Sequence, residues 1–293
     1  MIVSASYRTD IPAFYAAWFR QRLRIGGCRV KNPYGGADYA VSLRPGEVDG
    51  FVLWTRNLRP LLGDLDAIRR IAPFVVQFTV TFYPRCLESS VIAADAAVAQ
   101  LREVRRRFGP RAAVWRYDPI LFADGLDAAA HRANFAALAR ALAGSVDEVV
   151  LSVAHPYRKT RRNLDRAASK HGFAWRDPPP EEKRALLTEL AALAHEHGMA
   201  AALCSQPDLS APGLGEARCI DAGRIADIGQ RPIRAPTAGN RPGCRCAASR
   251  DIGAYDTCPH GCVYCYAVGD RDRAAAHLRH HDPAAESLSV ASG

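Results

Sequence analysis

The chain has 293 residues, of which 48% are hydrophobic and 24% are charged, a composition typical of a globular protein with one large domain or two modest domains. Seven of the nine cysteines lie in the final third, which excludes the disulfide framework of a small secreted domain. We expect a cytoplasmic protein, because no signal peptide precedes the first strand and no apolar run reaches the roughly 18 residues of a membrane span.

The formal net charge of +9 favours a nucleic-acid or phosphate-bearing partner. The alternative is simple arginine usage, since much of the excess charge comes from arginines on predicted helix faces, as in the run Arg105–Arg107. Both interpretations remain open, so nucleic acid stays a candidate partner, whereas a membrane does not.

Six apolar segments read as strands that end in polar residues, and they cover 2–10, 50–57, 73–83, 112–119, 146–156 and 199–208. Helical segments follow them, and the one after the fifth strand is basic, with Arg158, Lys159, Arg161, Arg162 and Arg166. This alternation predicts parallel strands joined by right-handed crossovers.

The third strand indicates how the sheet is used. One face, from Phe74 to Phe82, is wholly apolar, and the opposite face carries Gln77, Thr79 and Thr81. A closed (β/α)8 barrel packs both faces with branched aliphatic side chains. We therefore predict an α/β fold, a partial (β/α)6 TIM-like barrel over residues 1–206, with a lumen that is wet or holds a ligand.

Polar residues cluster at the predicted carboxyl ends of the strands, where sites form in barrels and in open α/β sheets. These rim residues are Arg8, Asp10, Trp54, Arg56, Asn57, Arg116, Asp118, His155 and Gln206. We predict catalytic roles for Arg8, Asp10, Arg56, Arg116 and Asp118, and cofactor binding for Trp54, Asn57, Gln77 and Thr79. The alternative is a ring of ion pairs that satisfies loop backbone.

The composition changes after the sixth strand. Residues 207–281 are rich in Pro and Gly and contain most of the cysteines, which predicts a cysteine-rich iron–sulfur segment that caps the barrel. Residues 282–293 are expected to form a disordered tail.

Cys258-Pro-His-Gly-Cys262-Val-Tyr264-Cys265 is the most informative stretch of the chain. Three thiolates from one tight loop can hold three irons of a cubic cluster and leave the fourth iron open to a non-protein ligand. The alternatives are a zinc knuckle or an ordinary cysteine-rich loop, although zinc sites more often pair two C-x2-C knuckles.

This spacing, with an aromatic residue before the third cysteine, resembles the cluster loop of the radical S-adenosylmethionine (SAM) enzymes. The resemblance implies that Cys258, Cys262 and Cys265 ligate a [4Fe-4S] cluster and that the backbone of Tyr264 lies near the SAM adenine. It further implies an electron donor such as flavodoxin or ferredoxin and a 5′-deoxyadenosyl radical that abstracts hydrogen from an unknown substrate. In that family the loop commonly follows the first strand, whereas here it follows the sixth.

Across nearly its whole length the chain also resembles an uncharacterised bacterial family defined as a domain of unknown function. The C-terminal cysteines of that family imitate the radical SAM loop. The segments that carry this resemblance are 6–10, 54–57, 115–119 and 251–255.

Four further cysteines, Cys204, Cys219, Cys244 and Cys246, are sufficient for one more metal site, either a second cluster or zinc. Alternatively, some of them are small buried residues. Cys28 and Cys86 receive no predicted role.

The main functional hypothesis is a radical SAM-type enzyme with one [4Fe-4S] cluster and a second, four-cysteine cluster beside it. One alternative is a radical-based lyase that repairs or modifies nucleic acid. The other is a non-enzymatic iron–sulfur or zinc protein that transfers electrons or acts as a sensor.

Overall fold

The computed structural model describes residues 1–33 and 35–289. Six strands of its main sheet correspond to the predicted segments, and only β6 extends beyond its segment, by one residue. These strands are β1 (Ile2–Ala5), β4 (Gly50–Thr55), β5 (Phe74–Thr79), β6 (Ala113–Ile120), β8 (Glu148–Val153) and β10 (Ala200–Leu203). Two short strands, β11 (Leu214–Glu216) and β12 (Ser249–Asp251), form the two edges of this sheet. The remaining strands form a hairpin of β2 (Gly27–Val30) with β3 (Tyr39–Ser42) and a small pair of β7 (Phe122–Ala123) with β9 (Trp175–Arg176).

The helices are α1 (Ile11–Phe14), α2 (Ala16–Ile25), α3 (Leu65–Ile71), α4 (Ala94–Phe108), α5 (Ala128–Leu142), α6 (Arg158–His171), α7 (Pro180–Glu196), α8 (Ala222–Gly229) and α9 (Arg271–His280). Their ends follow ordinary capping chemistry. Asp127 accepts a hydrogen bond from the Ala130 amide at the start of α5, and Gly172 ends α6 with φ of 70°, which glycine adopts without strain.

The main sheet has the order β11-β10-β8-β6-β5-β4-β1-β12, and all of its pairings are parallel. The predicted α/β alternation and the parallel sheet are therefore confirmed. The TIM-like barrel is not confirmed, because the sheet is not closed, and the prediction of six strands was too low. The two extra strands have three residues each, too few to produce a recognisable hydrophobic period.

The two faces of the sheet are buried by different parts of the chain. Outward-facing residues such as Phe74 and Trp115 belong to the larger core, together with side chains of the long helices such as Phe135 and Leu187. The opposite face, here called the inner face, forms a smaller core in which Ile2, Val52, Val75, Val114 and Val150 pack against Ile220, Ile225 and Ala247.

The segment between β11 and β12 crosses the inner face from one edge of the sheet to the other. It fills the space that the sequence predicted as a wet or ligand-holding lumen. Gln77 does lie on this face, but it is buried and donates to the Cys219 carbonyl oxygen (2.9 Å). Phe82, predicted on the apolar face, lies beyond the end of β5 and is 65% exposed.

Part of the segment predicted as a disordered tail contacts α2. Trp18 Nε1 donates to the Ala285 carbonyl oxygen (2.9 Å), Arg22 donates to that of Ala284 (2.9 Å), and Leu288 is buried. Residues 290–293 lie outside the described residues. Among the helices of the described chain, none has both the length and the apolar character needed to span a membrane.

Candidate functional site

The loop 258–265 lies against the carboxyl ends of β1, β4 and β5. Asp10, which follows β1, accepts hydrogen bonds from the backbone N–H of Arg56 (2.7 Å) and from Thr55 Oγ1 (2.7 Å), and lies 2.7 Å from His260 Nε2. Asp10 and His260 are both buried. One carboxylate therefore ties the ends of two neighbouring strands to the cysteine loop.

A second buried network joins the same loop to β4 and β5. Arg56 Nη2 donates to the Tyr264 hydroxyl oxygen (2.8 Å) and to Thr81 Oγ1 (3.0 Å), while its Nη1 lies 2.8 Å from Glu88 Oε1. Tyr264 and Thr81 both donate to the Glu88 carboxylate. Burial alone lowers the pKa of Arg56, but Glu88 and neighbouring groups raise it well above its ordinary value. Arg56 is therefore a charged side chain, paired with Glu88, that holds the loop.

The three cysteines of the loop are half-buried and lie among opposing charges. Burial raises the pKa of Cys258 and Cys265, and it raises that of Cys262 to about 12 although Arg56 acts in the opposite direction. The Ala267 amide donates to Cys265 Sγ (3.4 Å), and the His260 backbone is hydrogen-bonded to Cys258. Amide N–H groups on sulfur stabilise thiolate ligands of iron–sulfur clusters.

A single zinc ion would require its ligand atoms to lie close together. Zn–S bonds of 2.3 Å place tetrahedral thiolates about 3.8 Å apart. Among the residues that the structure describes, no three Cys, His, Asp or Glu side chains form such a group. The thiolates of a four-iron cluster bind separate irons, so they need not lie as close together as the ligands of one zinc ion. The fit of Cys258, Cys262 and Cys265 to a cluster therefore rests on their being three thiols, not on the distances between them.

The four remaining predicted metal ligands meet in the inner-face core. Cys204 Sγ, directly after β10, lies 3.5 Å from Cys219 Sγ, and Cys246 Sγ accepts a hydrogen bond from the amide of Ile220, the residue after Cys219 (3.4 Å). No cysteine belongs to a disulfide in the described structure, and a metal site at these four cysteines stays a prediction.

Two arginines face this second group. Arg116 Nη1 donates to Cys219 Sγ (3.0 Å), and Arg241 Nη2 lies 3.4 Å from Cys204 Sγ. The hydrogen bond with Cys204 lowers the pKa of Cys219, but the hydrogen bond with Cys246 and burial outweigh it and raise the pKa to about 11. The two guanidinium groups offset part of the cost of a thiolate at this position.

Arg116 also organises the predicted rim. Its Nε donates to Asp118 (3.0 Å), and its guanidinium lies over the Trp54 ring, 5.1 Å from the ring centroid. Burial raises the pKa of Asp118, but Arg116 and a hydrogen bond from Ser152 lower it by more. This ion pair connects the second cysteine group to the partly exposed side of the rim.

Asp251 is the main partner of Arg8. Its carboxylate accepts from Arg8 Nε (2.9 Å), Ser4 Oγ (2.7 Å), Ser6 Oγ (2.7 Å) and the Gly253 amide (3.0 Å). Arg8 is 4% exposed, so this contact fixes the edge strand β12 to β1 through a buried ion pair.

Of the other predicted rim residues, Asn57 and Thr79 adjoin these networks, whereas Gln206 and His155 lie outside them. Asn57 Oδ1 accepts from Gln100 of α4 (3.2 Å), and Thr79, half-buried at the end of β5, pairs in register with Arg116. Gln206 bonds both backbone groups of Val153, which matches the alternative that rim residues satisfy loop backbone, and His155 is exposed.

Four residues that are central to the site had no predicted role: Glu88, Arg241, Asp251 and His260. Asp251 stood in a segment that carried a family resemblance, and His260 stood inside the cysteine loop, so both had a signal. Glu88 and Arg241 lie in irregular segments, where periodicity gives no information.

Comparisons with solved structures identify only remote similarity. The chain is 11% identical to a D-hydantoinase (TM-score 0.29), and the match covers 69% of this chain and 37% of that one. It is 13% identical to dihydropyrimidinase from Brevibacillus agri NCHU1002 (TM-score 0.28; 74% and 39% covered). It is 14% identical to D-hydantoinase from a Bacillus sp. AR9 (TM-score 0.30; 70% and 44% covered).

In each case the match spans less than half of the other protein's chain. No curated protein matches the sequence. A family model does match, over residues 2–267, which is most of the chain. The chain therefore belongs to the family described as domain of unknown function DUF1848.

Proposed function

We propose that the protein is a radical SAM-type redox enzyme in which Cys258, Cys262 and Cys265 hold a [4Fe-4S] cluster. The observation that carries the proposal is the position of the cysteine loop at the carboxyl ends of β1, β4 and β5, fixed there by Asp10 and by Arg56. When bound, such a cluster supplies the electron that cleaves the sulfonium bond of SAM. The proposal specifies neither an individual electron donor nor an individual substrate.

The residues of this chain have three tasks in the proposal. The half-buried loop limits the access of water to the thiolates. Amide N–H groups and the Arg56 cation stabilise negative charge on sulfur. The partly exposed Trp54 and Asp118 lie beside Arg116 at the open side of the rim, where a carboxylate-bearing ligand can be oriented.

A second metal site at Cys204, Cys219, Cys244 and Cys246 is part of the same proposal. Cys204 Sγ and Cys219 Sγ lie 3.5 Å apart, and Arg116 and Arg241 provide compensating charge. A site of this type couples metal binding to folding of the segment that fills the inner face, because three of its ligands come from that segment.

The proposal is tested by the metal content and the SAM cleavage of protein purified without oxygen and reconstituted with iron and sulfide. We expect about four irons per chain for one cluster and about eight for two, with SAM cleaved on reduction. The control is Cys28→Ala, because Cys28 lies in the β2–β3 hairpin, outside both cysteine groups. Zinc as the sole bound metal, with no SAM cleavage, refutes the proposal and leaves the electron-transfer or sensor alternative.

A further inference from the structure

A cleft of about 380 Å³ opens between α6 and the start of α9, beside the end of the cysteine loop. Its lining is Lys159, Arg162, Arg166, Asp256, Gly269, Asp270 and Arg273. The volume is within the range of small-ligand sites, but the lining is mostly charged, whereas such sites are usually apolar. The ligand that fits it must therefore be strongly polar.

The four basic side chains of this cleft line the same depression. Lys159, Arg162 and Arg166 are spaced i, i+3 and i+7, which places them on one face of α6. Arg273 reaches the cleft from the first turn of α9. Four positive side chains from two helices thus line a single depression.

These cations lack the counter-charges found elsewhere on the molecule. Arg107, Arg132 and Arg224 each pair with a carboxylate on another element. By contrast, within residues 1–33 and 35–289 none of the four cleft cations has a carboxylate oxygen within 4.0 Å. Lys159 contacts only the Tyr255 ring, 6.0 Å from its centroid, among the contacts described.

The two carboxylates of the cleft are already engaged. Asp256 accepts from the Gly269 amide (2.6 Å), and Asp270 accepts from the Arg273 amide as the cap of α9. The lining therefore carries four positive and two negative groups, and both negative groups accept hydrogen bonds from backbone amides. An excess of two positive charges matches a ligand that brings two or more negative charges.

Gly269 leaves room at the point where the cations converge. A β-carbon at this position would lie 3.4 Å from Asp256 Oδ1, 3.7 Å from Lys159 Cε and 3.8 Å from Arg162 Nη2. Because Asp256 already accepts from the Gly269 amide, a ligand in the cleft meets the side chains of Lys159 and Arg162 and not the backbone. Compact tetrahedral anions with several acceptor oxygens suit this arrangement, since guanidinium groups bind phosphate through paired N–H donors.

We infer that this cleft is a binding site for a phosphate-bearing ligand. The first turn of α6 supports the inference, since it has basic residues and no acidic one, at the helix end where the backbone dipole already disfavours positive charge. A bound phosphate removes this conflict. The site itself needs no metal.

The test is calorimetric titration of the purified protein with inorganic pyrophosphate and with a short single-stranded oligonucleotide, with iron content recorded for each sample. We expect binding that weakens with salt and weakens at least about tenfold in the variant R162E/R166E. The control R70E/R140E removes the same charge at exposed positions near the opposite end of the strands. The neutral variant R162Q/R166Q is a second test if charge reversal impairs folding.

The two probes separate the sources of the phosphate. Pyrophosphate binding alone supports a small phosphate ester, and oligonucleotide binding that requires Arg162 and Arg166 supports a polynucleotide backbone. No binding of either probe overturns the inference. Equal weakening in the control pair also overturns it, because the effect is then one of net charge.

Discussion

Arg56, directly after β4, donates a hydrogen bond of 2.8 Å to the phenol oxygen of Tyr264, which follows it by 208 residues. This contact, together with Glu88, joins the end of the sheet to the cysteine loop inside a buried environment. It explains how a loop placed late in the chain comes to lie at the ends of the first strands.

Removal of the Tyr264 hydroxyl tests this connection. In Tyr264→Phe the buried Glu88 loses a donor and Arg56 loses an acceptor, so we expect a loss of about 1–3 kcal/mol in the free energy of unfolding. Urea denaturation measures it. The control is Tyr39→Phe, since Tyr39 is half-buried and contacts Arg250 through its ring. An unchanged unfolding midpoint in Tyr264→Phe would show that the network does not hold the loop.

Loss of the Arg8–Asp251 ion pair should lower the free energy of unfolding by more than loss of the Tyr264 hydroxyl does. Asp251→Asn leaves the buried Arg8 cation without its counter-charge, and one carboxylate oxygen that accepts hydrogen bonds becomes a donor. We expect a loss of about 3–5 kcal/mol, measured by denaturant unfolding. Asp272→Asn is the matched control, because the Asp272 side chain is 95% exposed and should change stability little. A loss below about 1 kcal/mol would mean that Arg8 is solvated in solution.

His131 predicts a dependence of stability on pH. It is fully buried between the Tyr117 hydroxyl and the Leu121 carbonyl oxygen, and burial lowers its pKa below the usual value. The unfolded chain therefore binds the proton more readily than the folded chain. The stability that neutral His131 provides is complete above its unfolded pKa of about 6.5 and decreases as the pH falls toward the lower folded pKa.

The measurement is denaturant unfolding of the wild type and His131→Gln between pH 7.5 and pH 5. The stability difference between the two proteins should narrow below about pH 6.5, by at most about 1.4 kcal/mol per pH unit. A difference that stays constant over this range would show that His131 titrates normally in the folded state.

The division of the cysteines into two groups predicts separable metal sites. Replacement of Cys258, Cys262 and Cys265 by Ala should abolish SAM cleavage and leave the second site filled. Replacement of Cys244 and Cys246 should reduce metal content and soluble yield, because the inner-face segment depends on that site. Equal loss of all metal in both variants, measured by elemental analysis, would indicate one shared site.

Sequence periodicity predicted the core of this fold well. All six predicted strands of the main sheet begin within two residues of the predicted starts, because parallel strands that are buried on both faces leave continuous apolar runs. The inner face was not predictable in the same way. Its cover consists of the short helix α8 and the loops between residues 217 and 247, whose packing is decided by tertiary contacts and not by local period.

The candidate site was predictable where residue type and position acted together. Arg8, Asp10 and Arg56 lie after the ends of β1 and β4, whereas Arg116 lies within β6. Each is buried against a partner, and the partners Asp251, His260 and Glu88 come from distant or irregular segments. The choice of these partners depends on the fold, so no local pattern reveals it.

The central claim is that the cluster of the cysteine loop has an open iron facing the rim, where SAM binds. The most direct test is the electron paramagnetic resonance spectrum of the reduced, reconstituted protein, recorded with and without SAM. We predict that SAM shifts the cluster signal in the wild-type protein and that no such signal forms after replacement of Cys258, Cys262 and Cys265. A cluster spectrum that is identical with and without SAM would contradict the claim.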